Sequence, residues 1–146
     1  MDSSNFSNRI VQHGSPEYWK LVDLRYDILR KPLGMHFTNE QLEQESSNYH
    51  LAIFQGDLPV ACCMLLEKDN ALQMKQVAVN EAAQGMGLGS KLLAFSESFA
   101  IDKGYSKMFC HARETAVPFY KKNGYLIIGD MFFEINIPHY YMEKEL

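Results

Sequence analysis

Gly85-Met86-Gly87-Leu88-Gly89 lies between an apolar, β-like run, Val77-Ala78-Val79, and a helical pattern that starts at once with Leu88, Leu92 and Phe95. Glycines let a backbone approach a ligand closely and take positive φ, while the first turn of the helix offers unpaired N–H groups and the positive end of its dipole. Gln84 to Ser90 therefore reads as an anion cradle, with a nucleotide-type pyrophosphate as its natural guest. Two common phosphate motifs do not fit. A P-loop needs Gly-Lys-Ser/Thr, so that the lysine reaches phosphate and the hydroxyl reaches magnesium, whereas the order here is Gly89-Ser90-Lys91. A dinucleotide fingerprint puts its glycines directly after a strand and needs several parallel βα units downstream. Here Asn80 to Ala83 intervene, and little chain follows Gly89.

Other side chains with chemistry to offer are scattered. Arg25 interrupts an apolar stripe, so it either pairs inside with a carboxylate or faces a cleft; Arg30 follows in the same run. Glu134 and His139 are proton acceptors in Phe132-Phe133-Glu134-Ile135-Asn136-Ile137-Pro138-His139, and imidazole as a type changes charge near neutrality. Cys62, Cys63 and Cys110 show no ligand spacing and the five histidines lie far apart, so no metal site is expected. Adjacent Cys62 and Cys63 should point to opposite faces of a strand, as buried thiols suited to a reducing cytoplasm.

The elements that must position these groups follow from periodicity. Arg9 to Gln12 is a short strand candidate. Ser15-Pro16 opens a helix whose stripe (Tyr18, Leu21, Val22, Arg25, Tyr26, Leu29) is stopped by Pro32 and Gly34. Thr38-Asn39-Glu40-Gln41 is a capping box for a shorter helix through about Glu45. Three strands with turns at Gly56-Asp57 and Asp69-Asn70 form an antiparallel meander from Tyr49 to Val79. A helix from Gly87 to Lys103, ended by Gly104, leads to a strand at Lys107 to His111 beside the meander, as a right-handed crossover. A helix at Thr115 to Lys122, a long strand at Tyr125 to Glu134 and a last strand at His139 to Lys144 complete a single mixed α+β domain.

With 146 residues and 47% apolar content the chain can bury a real core. The net charge of −4 leaves no basic footprint for nucleic acid, and no segment is apolar enough for a membrane helix. The expected location is cytoplasmic.

Gln84, Gly87 and Gly89 satisfy Gln/Arg-x-x-Gly-x-Gly/Ala, and Ala116-Val117-Pro118-Phe119-Tyr120-Lys121-Lys122-Asn123-Gly124-Tyr125 satisfies Ala-x-x-Phe-Tyr-x-x-x-Gly-Phe/Tyr. In this order and spacing the two patterns resemble the acetyl-CoA loop and the second signature of the GNAT superfamily of acetyltransferases. Arg113 stands where the second signature often has Asn.

The resemblance implies a three-layer fold with a mostly antiparallel sheet, splayed between its fourth and fifth strands. It implies that Val77, Ala78 and Val79 pair with pantetheine, and that Gln84, Gly85, Met86, Gly87, Leu88, Gly89 and Ser90 hold the pyrophosphate. Lys91, Arg113 and Lys121 are helpers, and Tyr120 contacts the cofactor near its sulfur, where it is the acid that protonates the leaving thiolate. Glu134 and His139 are candidate bases, and Arg25 and Arg30 candidate acceptor-binding residues. The expected activity is transfer of an acetyl group to a primary amine of a small molecule or peptide. The alternative is a non-catalytic acyl-CoA-binding module of the same fold. A homodimer through the C-terminal strands is compatible with the pattern.

Overall fold

The computed structural model describes residues 5–146. An eight-stranded sheet has the order β1-β2-β3-β4-β5-β8-β6, with β7 pairing β8 off that path. The strands are β1 (Phe6–Val11), β2 (Tyr49–Gln55), β3 (Leu58–Lys68), β4 (Ala71–Val79), β5 (Lys107–Arg113), β6 (Leu126–Ile127), β7 (Phe132–Glu134) and β8 (Ile137–Glu145). The helices are α1 (Pro16–Arg25), α2 (Asn39–Glu43), α3 (Leu88–Asp102) and α4 (Val117–Lys122).

Strand alternation sorts the core into two layers. Leu51, Ile53 and Cys63 face α3 and α4, packing with Leu88, Leu92, Phe99, Val117 and Tyr120. Ala52, Phe54 and Cys62 face α1, packing with Tyr18, Leu21 and Leu24. The adjacent cysteines therefore do point to opposite faces, and burial pushes both thiols up to about 12.

The pairings are antiparallel except one, β4 with β5, which is parallel because α3 carries the chain across. That ladder is short: it pairs Leu72 with Met108, Gln73 with Phe109 and Met74 with Cys110, then stops. Beyond Met74 the two strands have no common register. On its other edge β4 carries a bulge. Met64 lies opposite Lys75 but Cys62 opposite Ala78, and Gln76 takes φ 54° inside the extra turn of chain. Bulge and short ladder together open the sheet between β4 and β5.

The first strand lies earlier than expected, at Phe6–Val11, the fifth runs past His111 to Arg113, and three larger expectations change. The first helix does not run as one α-helix to Pro32; after Arg25 it widens to a π-turn at Tyr26–Arg30 and tightens to a 3₁₀ turn at Lys31–Leu33, ended by Gly34 at φ 67°. The long strand at Tyr125 to Glu134 is two short ones, because Gly129 at φ 85° turns the chain between them. The last strand starts at Ile137, ahead of His139, after a turn in which Ile135 and Asn136 both have positive φ. The capping box at Thr38 and Gln41 forms as expected.

Candidate active site

Where β4 and β5 part, a cavity of about 400 Å3 opens. Its wall includes Met74 to Val77 of β4, Cys110 to Arg113 of β5, and Tyr120 of α4. Leu29 and Arg30 come from the π-turn behind α1, and Glu134, Ile135 and His139 from the β7–β8 hairpin. Residues from the α1 side and from the α4 side share this wall, so the opening passes through the sheet.

Tyr120 is buried against Tyr125 and Phe119, with ring centroids 5.5 and 5.1 Å away, and its hydroxyl donates to Met74 Sδ at 3.9 Å. Burial first, and then the neighbouring Cys110 thiol, push the phenol well above its ordinary range, so Tyr120 keeps its proton at any working pH. The Cys110 thiol is itself pushed up to about 12 by burial.

Glu134 and His139, predicted together, do come together, and a third residue joins them. Glu134 Oε1 lies 3.1 Å from His111 Nδ1, and Oε2 lies 3.5 Å from His139 Nε2. His139 is buried and its Nδ1–H donates to the Ile137 carbonyl at 2.7 Å, which leaves Nε2 turned to the carboxylate. Phe132 stacks on His139 and meets His111 edge-on. His111 escaped sequence reasoning because its contact with Glu134 is made by the β5–β8 ladder, which sets His111 opposite Tyr141 and Arg113 opposite His139. The signal available was the alternation of His111 and Arg113 along the end of a strand. Gln76 was also missed. The adjacent polar pair Lys75-Gln76 breaks the alternation of β4, which is the mark of a bulge, and the buried Gln76 Oε1 has no protein partner among the described residues.

Arg25 lies inside rather than on the cavity wall. It is 2% exposed and forks onto Glu45 at 2.8 and 2.6 Å, while Tyr18 Oη donates to the same carboxylate at 2.9 Å. Arg30 does line the cavity, with its guanidinium over the Phe37 ring at 4.6 Å. Arg113 lines it too, and none of Gln84 to Ser90 does.

The glycine loop sits apart, at the start of α3. Gly87 is the N-cap residue at φ 75°, without a side-chain cap, and no acidic residue occupies the first turn. No side chain among the described residues caps the first N–H groups of α3. A Cβ on Gly87 would meet nothing within 4 Å, so the loop's outer surface is open to a ligand. Gly89 has another reason to be glycine: a Cβ there would come within 3.2 Å of the Phe119 ring, where α3 and α4 pack. Gln84 Nε2 donates to the Val79 carbonyl at 3.1 Å and Asn123 Nδ2 to Ser90 Oγ at 3.3 Å, so strand end and α4 both brace the loop. Lys91 turns toward the Phe6 ring instead, 5.6 Å from its centroid. These residues fit a pyrophosphate at the loop and an extended thiol arm in the gap beyond Val77 to Val79. Among the described residues no group of His, Cys, Asp and Glu is arranged to hold a metal ion, and no helix is long and apolar enough to cross a membrane.

A parallel strand pair forced apart, a helix N-terminus free of acidic residues beside it, and a buried tyrosine in the gap suit a protein that binds an acyl thioester. The chain belongs to the GNAT acetyltransferase family, whose acetyltransferase (GNAT) domain matches residues 27–146. It is 28% identical over 123 residues to the uncharacterized N-acetyltransferase YjcF of Bacillus subtilis, covering 84% of this chain and 88% of that one. An N-acetyltransferase candidate from Lactobacillus plantarum has the same fold at TM-score 0.87 and 22% identity, over 97% of this chain and 98% of that chain. A GNAT family acetyltransferase from Elizabethkingia anophelis, solved with acetyl-CoA bound, matches at TM-score 0.75 and 20% identity, over 99% of this chain and all of that chain (100%). The resemblance carried by the two signatures is thereby confirmed, and with it the fold, the acyltransferase activity and acetyl-CoA as donor.

Proposed function

We propose that the chain transfers the acetyl group of acetyl-CoA to a primary amine of a small molecule or peptide by direct attack. The observation that carries this reading is the convergence of a protonated Tyr120 and the Glu134–His111–His139 group on one cavity in the gap between β4 and β5. Acetyl-CoA supplies, when bound, a carbonyl already activated toward amines. The glycine loop, Gln84 to Ser90, holds the pyrophosphate through backbone N–H groups, and Val77, Ala78 and Val79 offer backbone partners left free of β5 to the pantetheine arm.

An amine arrives as an ammonium and must lose a proton before it can attack. Glu134 takes that proton, and His111, the more exposed of the two imidazoles beside its oxygens, passes it outward. Tyr120 Oη, kept neutral by burial, supplies the proton for the departing thiolate, and the second proton that the nitrogen sheds on forming the amide restores the phenol. The two groups come from different elements, so attack and departure are served from separate walls of the cavity. Amine-dependent release of free coenzyme A across a panel of amines tests the reading; binding of acetyl-CoA without turnover of any amine would favour a non-catalytic module.

The same reading extends to a pair of chains meeting at the C-terminal strands. It is supported by Leu126, Ile128 and Phe133, all exposed at the β6 edge and the β7 hairpin. Sedimentation over a range of concentrations checks it: a dimer that Leu126→Lys dissociates is expected, and a monomer at all concentrations contradicts it.

A further inference from the structure

The protein is acidic overall, yet the cavity wall carries Arg30, Lys75 and Arg113 against one carboxylate, Glu134. None of the three cations takes part in an ion pair among the described residues. Glu134 is engaged by His111 and His139, and the nearest buried carboxylate, Glu45, is taken by the fork of Arg25. Arg30 is nevertheless held in place. Its guanidinium shares the Phe37 ring with that of Arg25, at 4.6 and 4.7 Å from the centroid. Burial first, and then the positive charge of Arg25, lower the pKa of Arg30, with Arg113 adding to that; Glu45 offsets part of it, but its carboxylate is already forked onto Arg25.

An uncompensated pair of guanidinium groups in a partly buried wall is costly unless a ligand brings the missing charge. The phosphates of the donor are not that ligand, because the glycine loop lies outside this cavity and Arg30 enters it from the α1 side, across the sheet from α3 and Tyr120. Beside the arginines, Glu134 and the unpartnered Gln76 Oε1 offer acceptors for an ammonium. The wall thus presents both positive charge and hydrogen-bond acceptors. At about 400 Å3 the cavity suits a small molecule.

Resting on the transferase reading above, we propose that the acceptor is a small amine that also bears an oxyanion group, a carboxylate or a phosphate. Arg30 and Arg113 grip the oxyanion, and the amine faces Glu134 and Gln76. A planar guanidinium matches either oxyanion through paired N–H donors.

The test is calorimetric titration of the coenzyme A-saturated protein with matched pairs: phenylalanine against phenethylamine, 4-aminobutyrate against butylamine, and phosphoethanolamine against ethanolamine. The oxyanion member of at least one pair is expected to bind about tenfold tighter or more, and the carboxylate and phosphate pairs tell which anion is taken. Arg30→Gln should abolish that preference, and Arg30→Lys should restore part of it, while affinity for coenzyme A stays within about twofold. Should Arg30→Gln fail to fold, the matched pairs titrated into the wild-type protein decide the proposal by themselves. Equal binding of both members of every pair would overturn the proposal, as would a loss of coenzyme A affinity as large as the loss for the amine. Acetylation followed in parallel separates the two claims. Turnover of amines without an oxyanion preference leaves the transferase standing and removes the subsite. Oxyanion binding without acetylation leaves the subsite standing and removes the transferase.

Discussion

On the proposed mechanism Tyr120 and Glu134 divide the proton chemistry between them, and each would leave a different mark on a pH profile. Tyr120→Phe is expected to lower kcat by about 10²-fold or more while acetyl-CoA binds as before. Because burial holds the phenol protonated, the ratio of wild-type to variant rates should stay flat from about pH 6 to about pH 9; a ratio that changes across that range would take the acid role from Tyr120. Glu134→Gln removes the proton acceptor instead. Its deficit in kcat/KM should shrink as pH rises, since more of the amine is then neutral before it binds. A deficit that is constant with pH would mean that Glu134 only shapes the pocket. At this scale the sequence was informative where chemistry is local. Tyr120 lies within one short pattern with Gly124 and Tyr125, whereas the His111–Glu134–His139 group depends on the pairing of β5 with β8 and on a hairpin turn at Ile135-Asn136, neither of which has a local signature.

At the scale of elements, Arg25 and Glu45 pin the segment around α2 to α1. The bidentate pair is buried and also takes the hydroxyl of Tyr18. Glu45→Gln leaves an unpaired guanidinium inside and is expected to cost about 3–5 kcal/mol of stability, measured by urea unfolding. A loss within experimental error would show that water reaches Arg25. Burial alone raises the carboxyl of Glu45, but Arg25, helped by Tyr18, more than offsets it, and the net pKa lies below the ordinary value of 4.5. A depressed carboxylate contributes stability above its unfolded pKa and loses it as pH falls toward the folded one. The wild-type protein should therefore weaken below about pH 4.5 more steeply than Glu45→Gln does. Sequence pattern left two states open for Arg25, interior pairing or a cleft, because its partner lies outside the helix that displays it.

The glycine loop allows a sharper test of an element. Gly87→Val strains a position at φ 75° and puts a branched side chain into the open space where phosphate would approach. Coenzyme A affinity should fall by about tenfold or more with circular dichroism unchanged, and undiminished affinity would refute the cradle.

Across the whole molecule, the opening of the sheet links fold to function. Most of the architecture was legible because strand alternation and helix caps are written over neighbouring residues: the meander, the capping box at Thr38 and Gln41 and the helix after the glycine loop all appear where the patterns put them. The chain's C-terminal third was harder. Gly129 splits an apolar run that reads as one strand, and β8 is inserted between β5 and β6, an order set by long-range pairing. The overall negative charge does not describe the cavity, whose wall carries Arg30, Lys75 and Arg113 against one carboxylate, Glu134. The most direct measurement of the central claim follows free coenzyme A and acetylated product together, with purified protein, acetyl-CoA and a panel of primary amines. The expected result is release of coenzyme A that depends on the amine and matches acetylated product one for one. Saturable acetyl-CoA binding with no amine-dependent release would contradict it.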